Sequence, residues 1–177
     1  MQDYVSRYSA SLTINASPIP KIKISHTSGY YTNSCCSHPL HYPDELEESD
    51  NIGVRRAARR RLEIELGIDP AQIELSEFRL LTRIHYGAPS SSKWGEHEID
   101  YILFLKKDLP VKPNPNEVDQ VTYVSLENFS SFQAELVENK IKFTPWFDLI
   151  LNSYLMEWWK QVVNIDDLKY DSSIHSL

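Results

Sequence analysis

The sequence predicts an α/β or α+β layered domain, and three observations carry that expectation. The segment from Gly53 to Leu66 (GVRRAARRRLEIEL) sets Val54, Ala58, Leu62 and Leu66 four residues apart, one apolar stripe on a helix. The run from Ile99 to Leu105 (IDYILFL) is β-branched and aromatic enough for a buried strand. Along the chain, strand signals precede, separate and follow helix signals, which is the order of a layered fold.

Taken in order, residues 1–29 are rich in Ser, Thr, Ile and Pro, with periodicity that supports at most a strand near Lys21–Ile24. Residues 37–51 hold Pro39, Pro43 and the acidic run DELEESD, and read as a surface loop. Gly67 ends the first helix, where a left-handed backbone favours glycine. A strand at Phe78–His85 leads into a Pro/Ser loop at 87–92. KPNPNE (112–117) is a turn-rich connection, and Val121–Val124 a short strand. A helix over Ser125–Glu138 has Ser125 as its cap. The last long helix runs from Pro145 to about Val162, with Thr144 at N-cap and Pro145 at N1.

Length and composition bound the function. A chain of 177 residues is one domain. A net charge of −7 disfavours nucleic-acid binding and requires a local basic cluster or a metal for any anionic substrate. No stretch approaches the ~18 consecutive apolar residues of a membrane span. The N-terminus lacks the apolar core of a secretory signal. The two cysteines, Cys35 and Cys36, are adjacent rather than spaced as a disulfide framework, so a reducing cytosol is expected.

Four constellations could carry chemistry. Glu96 and Glu98 share a strand face if the strand through IDYILFL begins that early, with Asp100 next on the same face. Carboxylates so paired suit metal ligation or acid/base work, although a solvated strand edge is the ordinary reading of such a pair. Cys36 and His38 flank Ser37. Either could move a proton or meet a metal, or simply be structural. Arg61 and Glu65 are helix neighbours, so the carboxylate could hold Mg²⁺ while the guanidinium meets a phosphate, or they form a surface ion pair. Arg55, Arg56, Arg59 and Arg60 read mostly as the solvated face of that helix. Trp146, at a helix start, borders a pocket more readily than Trp158 or Trp159, which suit the core.

In sequence order, YTNSCCSHPL (31–40), ELEESD (45–50), GVRRAARRRLEIELGI (53–68), LTRIHY (81–86), WGEHEIDYILF (94–104), KPNPNEV (112–118), YVS (123–125) and TPWF (144–147) closely resemble the type I isopentenyl-diphosphate isomerases, a family with a Nudix-like fold. The resemblance covers roughly Tyr30 to Val162. It implies an α+β fold, an α/β/α sandwich on a mixed sheet with its N-terminal strands incomplete, and three segments: a divergent 1–29, an isomerase domain over 30–163 and a polar tail over 164–177. It also implies interconversion of isopentenyl and dimethylallyl diphosphate by a 1,3-proton shift. Cys36 and Glu98 would then act as proton-transfer groups on opposite faces of the substrate, with Tyr86 assisting Glu98. His38, Glu96 and Glu98 would hold Zn²⁺ or Mn²⁺, and Glu65 the Mg²⁺ on the diphosphate. Arg61 and Lys23 would contact the diphosphate, and Trp146 would offer its face to a cation.

Nudix pyrophosphohydrolases carry R-E-x-x-E-E-x-G where this chain reads RRLEIELG (Arg60 to Gly67). Arg61 and Ile64 replace two glutamates of that signature, which makes hydrolysis the weaker reading. The 31 residues before Thr32 do not match the family's longer region, which holds two further metal-ligand histidines. A catalytically impaired binding protein derived from an isomerase is therefore the alternative. The remaining expectations are a small-molecule isoprenyl diphosphate as partner, no nucleic acid, a monomer, and a cytoplasmic address with a peroxisomal one as the weaker option.

Overall fold

The computed structural model describes the backbone of residues 3–16, 21–27, 29–89, 94–162 and 164–177, and the side chains of 29–87, 97–162 and 164–177. In chain order these residues form β1 (Asp3–Ala16), β2 (Lys21–Thr27), β3 (Tyr30–Thr32), β4 (Cys35–Ser37), α1 (Ile52–Leu66), β5 (Arg79–Pro89), β6 (Trp94–Lys106), β7 (Gln120–Ser125), α2 (Phe129–Glu138), β8 (Lys142–Phe143), α3 (Pro145–Ile150), α4 (Met156–Val162) and β9 (Ile174–Ser176). A π-helical turn, Leu151–Leu155, joins α3 to α4. Among the described residues no helix is long and apolar enough to cross a membrane.

The sheet is mixed. β6 pairs antiparallel with β5 and, over its other edge, parallel with β1 from Asp3↔Trp94 to Asn15↔Lys106. β9 extends the β5 edge in parallel. β4 pairs antiparallel with β1 through Ser11↔Cys36. The end of β1 hands over to β2, which pairs with β3 and β7, and β3 takes β8 in parallel. The short chain from β3 to β4 thus steps from the partner of β2 to the partner of β1, and Asn33 and Ser34 are fully buried at the step.

Both faces of the sheet are covered, because β6 alternates. Ile102 and Phe104 join a cluster with Ile84, Tyr86, Phe129, Phe147, Leu151, Leu155 and Trp159, where α2, α3 and α4 pack. Leu103 and Leu105 join Cys35, Ala58, Leu62, Leu66, Phe78 and Val118 on the opposite face, under α1. Ala58, Leu62 and Leu66, three members of the stripe read from sequence, are completely buried.

The ends of α1 are fixed by close backbone approach. A Cβ on Gly53 would stand 2.3 Å from the Glu45 carbonyl oxygen, so only glycine lets the acidic loop lie on the first turn. Gly67 has φ +61 and a Cβ there would stand 2.4 Å from the Lys112 oxygen. The KPNPNE segment closes the helix in return: Lys112 N–H donates to Leu66 O at 2.7 Å and Asn114 N–H to Glu65 O at 2.9 Å.

Several elements depart from the sequence reading. Residues 3–16 and 21–27, expected to hold at most one short strand, supply two, and β1 lies inside the sheet. A strand of Ser, Thr and Tyr gains its ladder from β6 rather than from any apolar period of its own. β5 and β6 extend further than Phe78–His85 and Ile99–Leu105, and β5 takes the residues up to Pro89 that were read as loop. Residues 90–93 of that loop lie outside the described residues. α2 begins at Phe129, because Ser125 belongs to β7 and its hydroxyl accepts from Asn128 N–H at 3.3 Å in the connecting turn. Thr144 does stand at the N-cap of α3, but without a side-chain capping bond. In the polar tail, β9 adds to the sheet, and Asp171 is lowered to about 2 chiefly by hydrogen bonds from Ser173 and His175.

Candidate active site

Five elements deliver side chains to one cavity of about 430 Å³, a size suited to a small molecule. β4 and the residues after it bring Cys36, His38 and Leu40. α1 brings Arg60 and Arg61. β5 brings Tyr86, β6 brings Glu98, and the first turn of α3 brings Trp146. Six of these, Cys36, His38, Arg61, Tyr86, Glu98 and Trp146, are residues singled out from sequence. Period-two alternation on β4 separates the neighbouring cysteines: Cys36 borders the cavity, while Cys35 packs in the cluster beneath α1. Neither is in a disulfide.

The far wall is a buried acid. Glu98 is 4% exposed and Tyr86 2%, and the Tyr86 Oη–H donates to Glu98 Oε2 at 3.2 Å. His38 Nε2 lies 4.0 Å from Glu98 Oε1, so an imidazole and a carboxylate converge on the same space. That donor set suits a divalent transition metal. Among the described residues no group of three or more His, Cys, Asp or Glu converges as a metal site. The side chains of Glu96 and Lys23, two further candidates from sequence, lie outside the described residues. Their backbones place Glu96 opposite Ala88 and Val5, and Lys23 opposite Tyr123.

The basic side of the cavity is held by carboxylates. Arg61 donates to Glu65 Oε1 at 2.9 and 2.6 Å and to Glu117 Oε2 at 3.1 Å. Burial pushes the Glu65 carboxyl above its usual range, an effect that Arg61 and a hydrogen bond from the Cys35 thiol offset only in part. Cys35 itself is pushed well up, first by burial and then by the Glu65 charge. A cation at Glu65 would therefore share the carboxylate with Arg61.

Sequence reading missed Arg60. It donates to Glu45 at 2.6 and 3.0 Å and to the His38 carbonyl at 3.1 Å, and Glu45 in turn accepts from Leu40 N–H at 2.7 Å. Arg60 therefore clips the segment carrying His38 to α1 instead of standing in solvent. Arg56 with Glu47 and Arg55 with Asp50 repeat the pattern. The legible signal was an acidic run placed directly before a basic helix face. Leu40 in the lining, and Asn33, which accepts a hydrogen bond from Trp146, were also missed.

Residues 36–147, more than half of the chain, match the NUDIX domain, and the chain belongs to that family. The fold agrees: a NUDIX hydrolase from Alicyclobacillus acidocaldarius superposes with a TM-score of 0.65 at 10% identity, covering 97% of this chain and 99% of that one. Within the family, the chain is 47% identical over 149 residues to Isopentenyl-diphosphate Delta-isomerase 1 of Mesocricetus auratus, covering 84% of this chain and 66% of that protein. It is 51% identical over 135 residues to an isopentenyl-diphosphate delta-isomerase of Gibberella zeae, covering 75% of this chain and 52% of that protein. The matched region thus spans about two thirds of the mammalian relative and about half of the fungal one.

Proposed function

We propose that the protein interconverts isopentenyl and dimethylallyl diphosphate, moving a double bond by a 1,3-proton shift. The observation that carries this reading is the meeting of a thiol, a tyrosine-linked carboxylate and an indole in one cavity with two guanidiniums beside it. A proton delivered to the terminal alkene carbon leaves positive charge on the tertiary carbon. A proton removed from the neighbouring methylene then completes the shift. Cys36 and Glu98 are the two groups that exchange these protons. Tyr86 holds the Glu98 carboxyl in place through its hydroxyl. Trp146 offers a π face to the cationic centre. The rings of Tyr86 and Trp146 would help keep water, which could otherwise capture the cation, from the reacting carbons. Arg61 would contact the diphosphate, but Glu65 and Glu117 pair with it and Glu45 with Arg60, so an accompanying cation would have to offset the phosphate charge within a chain of net charge −7.

His38 and Glu98, with Glu96, would hold a divalent ion such as Zn²⁺ or Mn²⁺, and Glu65 the Mg²⁺ that accompanies the diphosphate; Lys23 would join the diphosphate contacts. When bound, such ions neutralise phosphate charge and fix the carboxylates. Ile64, 37% exposed where the hydrolase signature carries a glutamate, favours isomerisation over hydrolysis. Residues 30–163 hold the proposed site apart from Lys23, and β1, β2 and β9 from outside that range complete its sheet. The adjacent reduced thiols accord with the cytoplasm, and we take the working unit to be a monomer. Incubation with isopentenyl diphosphate and Mg²⁺ tests the reading: dimethylallyl diphosphate should form, and Cys36→Ala and Glu98→Gln should each slow its formation at least about 10²-fold. Absence of product, or undiminished turnover in Cys36→Ala, would overturn it.

A further inference from the structure

One buried polar chain lies beside the cavity and has no part in the chemistry above. Thr32 is 7% exposed, Asn33 1% and Thr144 5%. Thr144 Oγ1–H donates to Thr32 Oγ1 at 2.9 Å, and Thr32 Oγ1–H donates to Asn33 Oδ1 at 2.8 Å. The same Asn33 Oδ1 accepts from the Trp146 indole Nε1–H at 3.3 Å. On its other side, Asn33 Nδ2 donates to the Cys35 carbonyl at 2.6 Å. The backbone follows the same path, since Thr144 N–H donates to Tyr31 O at 2.8 Å.

This wiring fixes the orientation of the amide. Turned over, Asn33 would set its NH₂ against the indole N–H and its oxygen against the Cys35 carbonyl, losing both bonds. One side chain therefore grips the aromatic wall of the cavity and the peptide next to Cys36. An indole has a single N–H, and anchoring it sets the tilt of the ring. The spare capacity of Thr144, an N-cap that makes no capping bond, is used in the same chain.

Resting on the isomerase reading, we infer that Asn33 is a positioning residue: it holds the Trp146 ring and the Cys36-bearing strand at one spacing, so that the π face meets the carbon that becomes cationic. Asn33 is buried and is not among the residues that line the cavity. Its effect runs through Trp146 and the Cys35 peptide.

The test uses the full chain with ¹⁵N-labelled indole. In the wild type the Trp146 Nε1–H signal, assigned by its loss in Trp146→Phe, should exchange with solvent at least about tenfold more slowly than an exposed indole. In Asn33→Ala that protection should be lost, and kcat should fall at least about tenfold with KM changed less than about threefold. In a Trp146→Phe background the same Asn33 substitution should cost clearly less than in the wild type, because the two residues act as a unit. An unprotected indole in the wild type overturns the inference whether or not any variant folds. Unchanged protection in Asn33→Ala, or effects of the two substitutions that simply multiply, does the same. Were no dimethylallyl diphosphate made by any form, the isomerase reading would fail while the indole measurement still judged the anchor.

Discussion

Glu45 and Glu65 each meet an arginine of α1, yet they are shifted in opposite directions. Burial works against both carboxylates. At Glu45 the Arg60 bonds and the Leu40 N–H outweigh it and the group is lowered, whereas at Glu65 burial prevails and the group is raised. The linkage consequences are opposite. Glu45 stabilises the fold above the ordinary carboxylate value of 4.5, and this is lost as pH falls through its lower folded value. Glu65 favours the fold below 4.5, and that contribution is lost as pH rises through its higher folded value. Urea unfolding without divalent cations, across pH, should therefore show the stability of wild type relative to Glu65→Gln declining as pH rises, while wild type relative to Glu45→Gln gains. The reverse slope for either pair would contradict the structure. At this scale the sequence exposed Cys36, His38, Tyr86, Glu98 and Trp146 because their motifs are distinctive. It hid Arg60 and Asn33, since an arginine on a basic helix or an asparagine in a turn looks the same whatever reaches it in space.

Among the elements, α1 was legible to within a residue of its observed start, because stripe, terminal glycine and length agreed. Leu62 is fully buried in that stripe, and Leu62→Ala should destabilise by about 2–5 kcal/mol in denaturant titration. Gly53→Ala makes a sharper point. Its methyl would meet backbone rather than a yielding side chain. The acidic loop must then lift, taking Glu45 away from Arg60 and loosening His38. Turnover should fall and KM rise, with a helical circular dichroism signal close to wild type; wild-type kinetics would show that the loop does not depend on this approach. The junction of α3 and α4 was read as one continuous helix and instead contains the π turn at Leu151–Leu155. Nothing in side-chain periodicity distinguishes one extra residue per turn from ordinary helix over so short a stretch. β1 was illegible for the complementary reason, as its partner lies some 90 residues away in sequence.

For the whole molecule, the placement of β1 decides what the first residues are worth. It joins β6 on one edge to β4 on the other, so it links the strand of Glu98 to the strand of Cys36. Removing residues 1–16 would leave two unpaired edges and part the walls of the cavity. The shortened protein should lose its cooperative thermal transition and aggregate on heating; a shortened chain that melts cooperatively and turns over normally would deny β1 this role. The reading of a layered α/β or α+β domain from the order of strand and helix signals was sound because alternation on β6 dictates two covered faces.

The pleat of β4 has one more result, and it concerns damage rather than catalysis. The chain has two cysteines, and they look away from each other, one into the core beneath α1 and one into the cavity. A peroxide that converts Cys36 to a sulfenic acid finds no neighbouring sulfur to close an internal bridge. Recovery must come from a diffusible thiol, and a stoichiometric alkylating reagent should label this protein once, at the cavity, leaving its buried twin untouched.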